Sequence, residues 1–296
     1  MRSGFVALIG RPNVGKSTLM NSFVGEKVAI MSDKPQTTRN KIRGILTNDE
    51  GQVIFLDTPG IHKPHSKLGQ QLVKIAQNAF QEVDLILFLV DAYEGIGAGD
   101  RFIIQHLKKA STPVFLVVNK IDRVHPDSLL PLIDQYRSLH TFQEVVPVSA
   151  LQGNNMSTLL QLIMKYLPEG PMYYPSDQVT DHPEQFIVAE IIREKILHLT
   201  REEIPHSVAV MIEEMKLRKG KKLLDIHAII FAERESQKRI LIGKQGRLLK
   251  EVGKRARQEC EALLGYPIYL DLWVKVKKDW RNEMPMLRRL GYLEQD

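Results

Sequence analysis

The chain of 296 residues has one cysteine, Cys260. That excludes an internal disulfide and a zinc site built from several thiolates, and it fits a reducing compartment. Long hydrophobic runs are also missing. The longest, Leu85–Val90 and Val114–Val118, fall far short of the roughly 20 apolar residues of a membrane span. Met1-Arg2-Ser3-Gly4 leads straight into a strand-like run, so no signal peptide is expected and the cytoplasm is the expected location. The nine histidines show no metal-ligand spacing, and His62 and His65 are expected on an exposed loop. No internal repeat or low-complexity tract is present. What remains is ordinary for globular cores, with 43% hydrophobic and 26% charged residues, and the length predicts two domains.

The most informative stretch is Gly10-Arg11-Pro12-Asn13-Val14-Gly15-Lys16-Ser17. An apolar run, Phe5–Ile9, precedes it, and a helical pattern opens at Thr18. This is G-x-x-x-x-G-K-[ST] in its required setting of buried strand, glycine-bounded loop and helix N-terminus. The glycines let main-chain N–H groups wrap a polyphosphate, and the helix dipole faces the same anion. Residues Gly10 to Thr18 are the candidate phosphate cradle, with Lys16 reaching the β- and γ-phosphates and the Ser17 hydroxyl on Mg²⁺.

Short strands are expected over Lys41–Leu46 and Gln52–Leu56, joined by the turn Asn48-Asp49-Glu50-Gly51. The second empties into Asp57-Thr58-Pro59-Gly60. A carboxylate there can hold the water shell of a magnesium ion, and the Gly60 amide can meet a γ-phosphate. Helices over Lys67–Phe80, Arg101–Ala110, Ser128–Leu139 and Met156–Leu167 then alternate with strands at Leu85–Asp91, Val114–Val118 and Val145–Val148. Such alternation predicts a mostly parallel sheet covered by helices on both faces. At the later strand ends stand Asn119-Lys120-Ile121-Asp122 and Ser149-Ala150-Leu151. The Asp122 carboxylate can accept from both N1–H and the 2-amino group of guanine, which adenine does not offer. The stem of Lys120 can lie over the base, and the amides of Ser149, Ala150 and Leu151 can donate to guanine O6.

Leu167–Asp177 carries three prolines and reads as an extended, semi-rigid connector. Beyond it a helix is expected over Glu184–Leu199, then strands over Ser207–Met215 and Leu224–Phe231 with a basic turn, Lys219-Gly220-Lys221-Lys222, between them. Ile240-Leu241-Ile242 leads into Gly243-Lys244-Gln245-Gly246. The following helix carries Leu249, Val252, Ala256, Cys260 and Leu263 on one face, with Lys250, Lys254 and Arg257 on the other. The last strand alternates, with Ile268 to Val276 even positions inward and Tyr269, Asp271, Trp273 and Lys275 outward; a short helix, Met284–Leu290, closes the chain. Net charge is +6, and Arg234–Arg257 concentrates nine basic residues against Glu235 and Glu251. That is either a solvated helix face or a polyanion site.

Together, Gly-Arg-Pro-Asn-Val-Gly-Lys-Ser, Gln-Thr-Thr-Arg, Asp-Thr-Pro-Gly, Asn-Lys-Ile-Asp and Ser-Ala-Leu make residues 1–168 resemble the Ras-like GTPase domain of the translation-factor-related class. The specific forms are similar to those of the bacterial Era-type GTPases. The order helix, strand, strand, helix, Gly-x-x-Gly, helix, strand resembles the type II KH RNA-binding domain. The expected architecture is therefore an α/β P-loop GTPase domain (1–168), a connector (169–183) and an α+β KH domain (184–296). The resemblance implies GTP and GDP as ligands, and Mg²⁺ held by Ser17, Thr38 and, through water, Asp57. It implies a first switch at Gln36, Thr37, Thr38 and Arg39, and catalytic support from Lys16, Thr38 and Gly60. Ile61 stands where Ras-type proteins carry the water-orienting glutamine, so intrinsic hydrolysis is expected to be slow. For Asn13 two readings stay open: a ligand of a K⁺ ion that stimulates hydrolysis, or a cap of its own loop.

For the second domain the resemblance implies unpaired RNA bound by Ile242, Gly243, Lys244, Gln245, Gly246, Arg247, Lys250 and Lys254. The expected target is the 3′ end of 16S rRNA during assembly of the 30S subunit. The expected form is a monomer, cytoplasmic or peripheral on the inner face of the membrane. Two rival readings are an RNA-binding scaffold stabilised by GTP, which the intact Lys16, Ser17, Thr38 and Asp57 disfavour, and a tRNA-modifying GTPase, for which no exposed cysteine or spare domain is at hand.

Overall fold

The computed structural model describes residues 1–34, 36–60, 66–78 and 83–293. They form two compact units, the main division falling between Asp181 and His182.

In the first unit the elements run β1 (Arg2–Ile9), α1 (Lys16–Val24), β2 (Ile42–Asn48), β3 (Gly51–Asp57), α2 (Lys67–Asn78), β4 (Leu85–Asp91), α3 (Ala98–Leu107), β5 (Val114–Asn119), α4 (Leu129–Arg137), β6 (Glu144–Pro147) and α5 (Met156–Tyr166). The six strands lie in the order β2-β3-β1-β4-β5-β6. Only β2 is antiparallel to its neighbour. β3, β4 and β5 are buried along their whole lengths, as strands covered on both faces must be. The chain moves outward to β3 on one side of β1 and to β4 on the other. The loop after β1 therefore sits at the point where the strand order reverses, where open α/β sheets bind their ligands.

Most of the expected connector packs on the first unit, to which residues 169–181 belong. The Gln52 side chain, fully buried, accepts from the amides of Tyr173 (2.8 Å) and Tyr174 (3.0 Å) and donates to the Tyr174 carbonyl (2.9 Å). It thus copies a backbone pairing. Farther on, the segment follows β2: Ile45 N–H donates to the Val179 carbonyl at 2.8 Å, Thr180 Oγ1 donates to the Arg43 carbonyl at 2.7 Å, and Arg43 pairs with Asp181.

The second unit runs α6 (Glu184–Leu199), α7 (Ile204–Ser207), β7 (Ala209–Leu217), β8 (Leu224–Ala232), α8 (Glu235–Ile242), α9 (Arg247–Leu264), β9 (Ile268–Val276) and α10 (Met284–Arg289). Its sheet has the order β7-β8-β9, the first pair antiparallel and the second parallel. Val188, Ile192 and Ile196 of α6 and Val252, Ala256 and Cys260 of α9 close the core over Ile226, Ala228 and Ile230 of β8. Cys260 is buried, as its helical spacing predicts. Leu263 is not part of that stripe: it is exposed, and Leu264 packs instead. The 3.6-residue period carries the stripe past position 263 by the fifth contact. Residues 277–293 seal the unit's end, with Trp280 fully buried and its indole N–H donating to the Ser207 carbonyl at 2.9 Å.

Candidate functional site

The loop between β1 and α1 has the geometry its sequence predicts. Gly15 is left-handed (φ 99°), and a Cβ there would lie 2.2 Å from Asn119 Nδ2, so only glycine fits. α1 begins at Lys16 with no side-chain cap, which leaves its first N–H groups to an anion. Lys16 is buried and donates to the carbonyls of Gly10 (3.2 Å) and Arg11 (2.9 Å). Burial lowers its pKa to about 8, against the attraction of Asp57.

Three oxygens converge beside it. Ser17 Oγ donates to Asp57 Oδ2 at 2.5 Å, Thr38 Oγ1 donates to the same oxygen at 3.3 Å, and the two hydroxyls are 3.2 Å apart. Asp57 ends β3 with no exposed surface, and its Oδ1 has no hydrogen-bond partner among the described residues. Burial pushes its carboxyl above the usual range, although Lys16, Ser17 and Thr38 pull the other way. An all-oxygen cluster with an unsatisfied carboxylate oxygen fits a small hard cation such as Mg²⁺. Among the described residues no group of three His, Cys, Asp or Glu side chains could hold a metal on its own. The expected first switch is packed inward here, with Thr37, Thr38 and Arg39 buried and Gln36 in a left-handed turn. Gly60 abuts the loop, where a Cβ would meet Pro12 N at 2.6 Å. Ile61, His62 and His65 lie outside the described residues.

The residues expected to read the base are brought together with the loop. Asp122 receives the Ser149 hydroxyl at 2.5 Å on Oδ1. Lys120 donates to the Asn13 carbonyl at 2.6 Å and pairs with Asp91 at 2.6 Å. Asn119 donates to the Val14 carbonyl at 2.8 Å and accepts from Ala150 N–H at 3.0 Å. Asn119 thus braces the loop against the 149–151 segment. The expectation of three amides offered to guanine O6 changes accordingly. Ala150 N–H is bonded to Asn119, Ser149 N–H to the Asn154 carbonyl at 3.2 Å, and Leu151 has an exposed side chain. Thr18, placed in the phosphate cradle from sequence, turns its hydroxyl to Met31 Sδ at 3.5 Å. Asp91 was not singled out by sequence, though it ends β4 as Asp57 ends β3. Burial works against its charge, but Lys120 and the amides of Glu94 and Tyr93 outweigh that and hold its carboxyl below the usual range.

Arg11, expected to lend its main chain to the cradle, uses its side chain elsewhere. Its guanidinium turns from the cradle onto the start of α3: Nε pairs with Asp100 at 2.8 Å and Nη2 donates to the Gly95 carbonyl at 2.9 Å. Gly97 and Gly99 make room, since a Cβ on either would lie 2.8 Å from Arg11. Asp100, fully buried, accepts from Gly97 N–H at 2.8 Å and so caps α3 as well. Arg11→Ala is expected to cost about 3 kcal/mol of stability, because it strips a buried carboxylate of its cation. Nucleotide release should quicken roughly tenfold, about 1.4 kcal/mol of lost grip. Adding Asp100→Asn should restore much of the melting temperature but not the slow release. Thermal melting and fluorescent-GDP release check both.

In the second unit, the turn between α8 and α9 exposes Lys244 and Gln245, and Arg247, Lys250 and Lys254 follow exposed on one side of α9. Gly243 (φ 73°) folds so tightly onto Leu248 that a Cβ would lie 2.8 Å from the leucine's own. α9 starts from Gly246 without a side-chain cap, so its N-terminus faces outward beside Lys244. Ile242 is half-buried at the end of α8. The arrangement suits a phosphate backbone approaching the turn.

Residues 5–120 match the family model of the 50S ribosome-binding GTPases, and residues 203–281 match that of the KH domain. Two solved structures are closely similar over both units. A variant of Aquifex aeolicus Era bound to GDP and AlF₄⁻ shares 48% identity, with 99% of each chain covered and a TM-score of 0.96. The values are the same for Era in complex with MgGDPNP and nucleotides 1506–1542 of 16S ribosomal RNA.

Proposed function

The chain belongs to the Era family of GTPases, and we propose that its nucleotide state controls the grip of its KH domain on the 3′ end of 16S rRNA during assembly of the small ribosomal subunit. It is a Ras-like GTPase followed by a KH domain. The observation that carries the proposal is the meeting of Thr38 with Ser17 and Asp57. Thr38 joins the switch to the place where Mg²⁺ and the γ-phosphate would sit, and β2, four residues on, holds the 179–181 segment along its edge. Loss of the γ-phosphate releases Thr38 and with it the start of that path.

Mg²⁺, held by Ser17, Thr38 and through water by Asp57, would neutralise charge on the β- and γ-phosphates. Lys16 adds a donor on the same oxygens, and the amides of the loop bind the rest. Asp122 selects guanine. With an apolar residue at position 61, water must be ordered by main-chain groups or an ion. Asn13, left-handed at the crest of the loop, is the candidate K⁺ ligand. No helix among the described residues is long and apolar enough to cross a membrane. A cytoplasmic monomer that visits the membrane surface through its basic patches is the cellular setting proposed.

The test is GTP turnover in K⁺ and in Na⁺, with and without an unpaired RNA matching the 16S 3′ end, for the parent and Lys244→Glu. RNA should raise turnover only in the parent, and K⁺ should outperform Na⁺. Equal rates in the two salts would remove the K⁺ ligand. An RNA that binds without changing turnover would remove the coupling, and an RNA that does not bind would remove the assignment of the Gly243–Gly246 turn.

A further inference from the structure

The side of β9 turned away from the helices carries an unusual pair of rings. Trp273 is 62% exposed and Tyr269 49%, both on β9 and both pointing away from the core. By contrast Trp280 is fully buried. The rings are held in place. Trp273 Nε1–H donates to Asp271 Oδ2 at 2.8 Å, and His227 Nδ1 lies 3.3 Å from the same oxygen. The Arg218 guanidinium, fixed by two hydrogen bonds to Asp225 (2.6 and 2.8 Å), stands 5.5 Å from the centre of the Tyr269 ring. With its one donor used, the exposed indole keeps no hydrogen bond to offer a ligand and leaves its ring for stacking.

We propose that this outer face of the sheet is a stacking platform for unpaired RNA leaving the Gly243–Gly246 turn; the proposal rests on the KH reading above. Three features favour RNA as the occupant. The rings are four residues apart on one strand, about 13 Å at strand rise, so two bases can stack without sharing a ring. Cations flank them at both ends: the 218–222 turn contributes one arginine and three lysines without a carboxylate, and Lys275 stands on the same face of β9. And β9 is an edge strand of this sheet. Its Leu270 and Leu272 face the helices that flank the turn, so a strand of RNA crossing that edge meets Tyr269 and Trp273 next. Ordered aromatic faces with a basic rim bind single strands with little sequence preference.

The experiment compares binding of an unpaired tetranucleotide and of an unpaired RNA of about twelve nucleotides to the full chain, by anisotropy and by tryptophan quenching. The parent should bind the longer RNA with strong quenching, which only exposed Trp273 can supply. Trp273→Ala with Tyr269→Ala should weaken the longer RNA roughly tenfold or more, leave the tetranucleotide unchanged and keep the melting temperature. Trp273→Phe, which keeps a ring, should recover most of the loss. Lys244→Glu tests the turn separately: if it loses the tetranucleotide while the double variant does not, both sites stand. If the double variant binds the longer RNA as the parent does, the platform is refuted. It is equally refuted if the double variant changes only the protein's self-association, and if the parent binds neither RNA the platform falls together with the KH reading.

Discussion

Lys16→Met is expected to lower GTP turnover by at least 10²- to 10³-fold, the range for removing one preorganised charge donor, while leaving the nucleotide-free protein no less stable. The two halves of that expectation come from one observation. Lys16 is buried with its ammonium group on two carbonyls of its own loop, and its pKa is lowered to about 8 because burial outweighs the pull of Asp57. A lowered lysine pKa means that the fold disfavours the cation, so the charge is kept for a ligand rather than for stability. Methionine has a similar length, fills the same space and needs no hydrogen bond. Its melting temperature without nucleotide should therefore equal or exceed the parent's, and the stabilisation that GDP gives to the parent should shrink. Melting with and without GDP, beside single-turnover hydrolysis, separates the cases. A variant that melts much lower without nucleotide would show instead that Lys16 holds the loop together.

Much of this site is legible in the sequence because each motif is local. A glycine-bounded loop, a carboxylate ending a strand and an aspartate expected to read a base are each fixed by a few neighbouring residues, and strand–helix alternation then places them on one edge of a sheet. What escapes such reading depends on partners distant in the chain. Gly97 and Gly99 look like helix breakers, which is why α3 is expected only from Arg101; it starts at Ala98. Those glycines are there to admit Arg11, some 86 residues earlier in the sequence. Nothing near Arg11 in the sequence marks a partner for its side chain, and only the fold shows it braced on Asp100. Gln52 reads as one polar residue in a strand, yet it fastens the segment after α5 to the first unit. Helix α7 is hidden by its brevity, four residues with a proline at its second position.

Asp122→Asn should weaken guanine nucleotides on the order of 10⁴-fold while sparing a nucleotide whose base carries a carbonyl at position 2. Ser149 is what makes the substitution clean. Its hydroxyl donates to Asp122 Oδ1 at 2.5 Å, and an asparagine can keep that bond only by placing its own oxygen there. The amide nitrogen is then turned to where Oδ2 stood. A donor now faces the donors of guanine, and polar groups that the bound base would cover go unpaired on both sides. Xanthine replaces the 2-amino group with an oxygen and so supplies the acceptor that the amide needs. Affinities for GDP and xanthosine diphosphate, measured by displacement of a fluorescent analogue, should therefore exchange rank between parent and variant. Ser149→Ala on the asparagine background should blur the exchange, because the amide is then free to flip. Equal weakening of both nucleotides would mean that Asp122 supports the loop around Lys120 and Asn119 without reading the base.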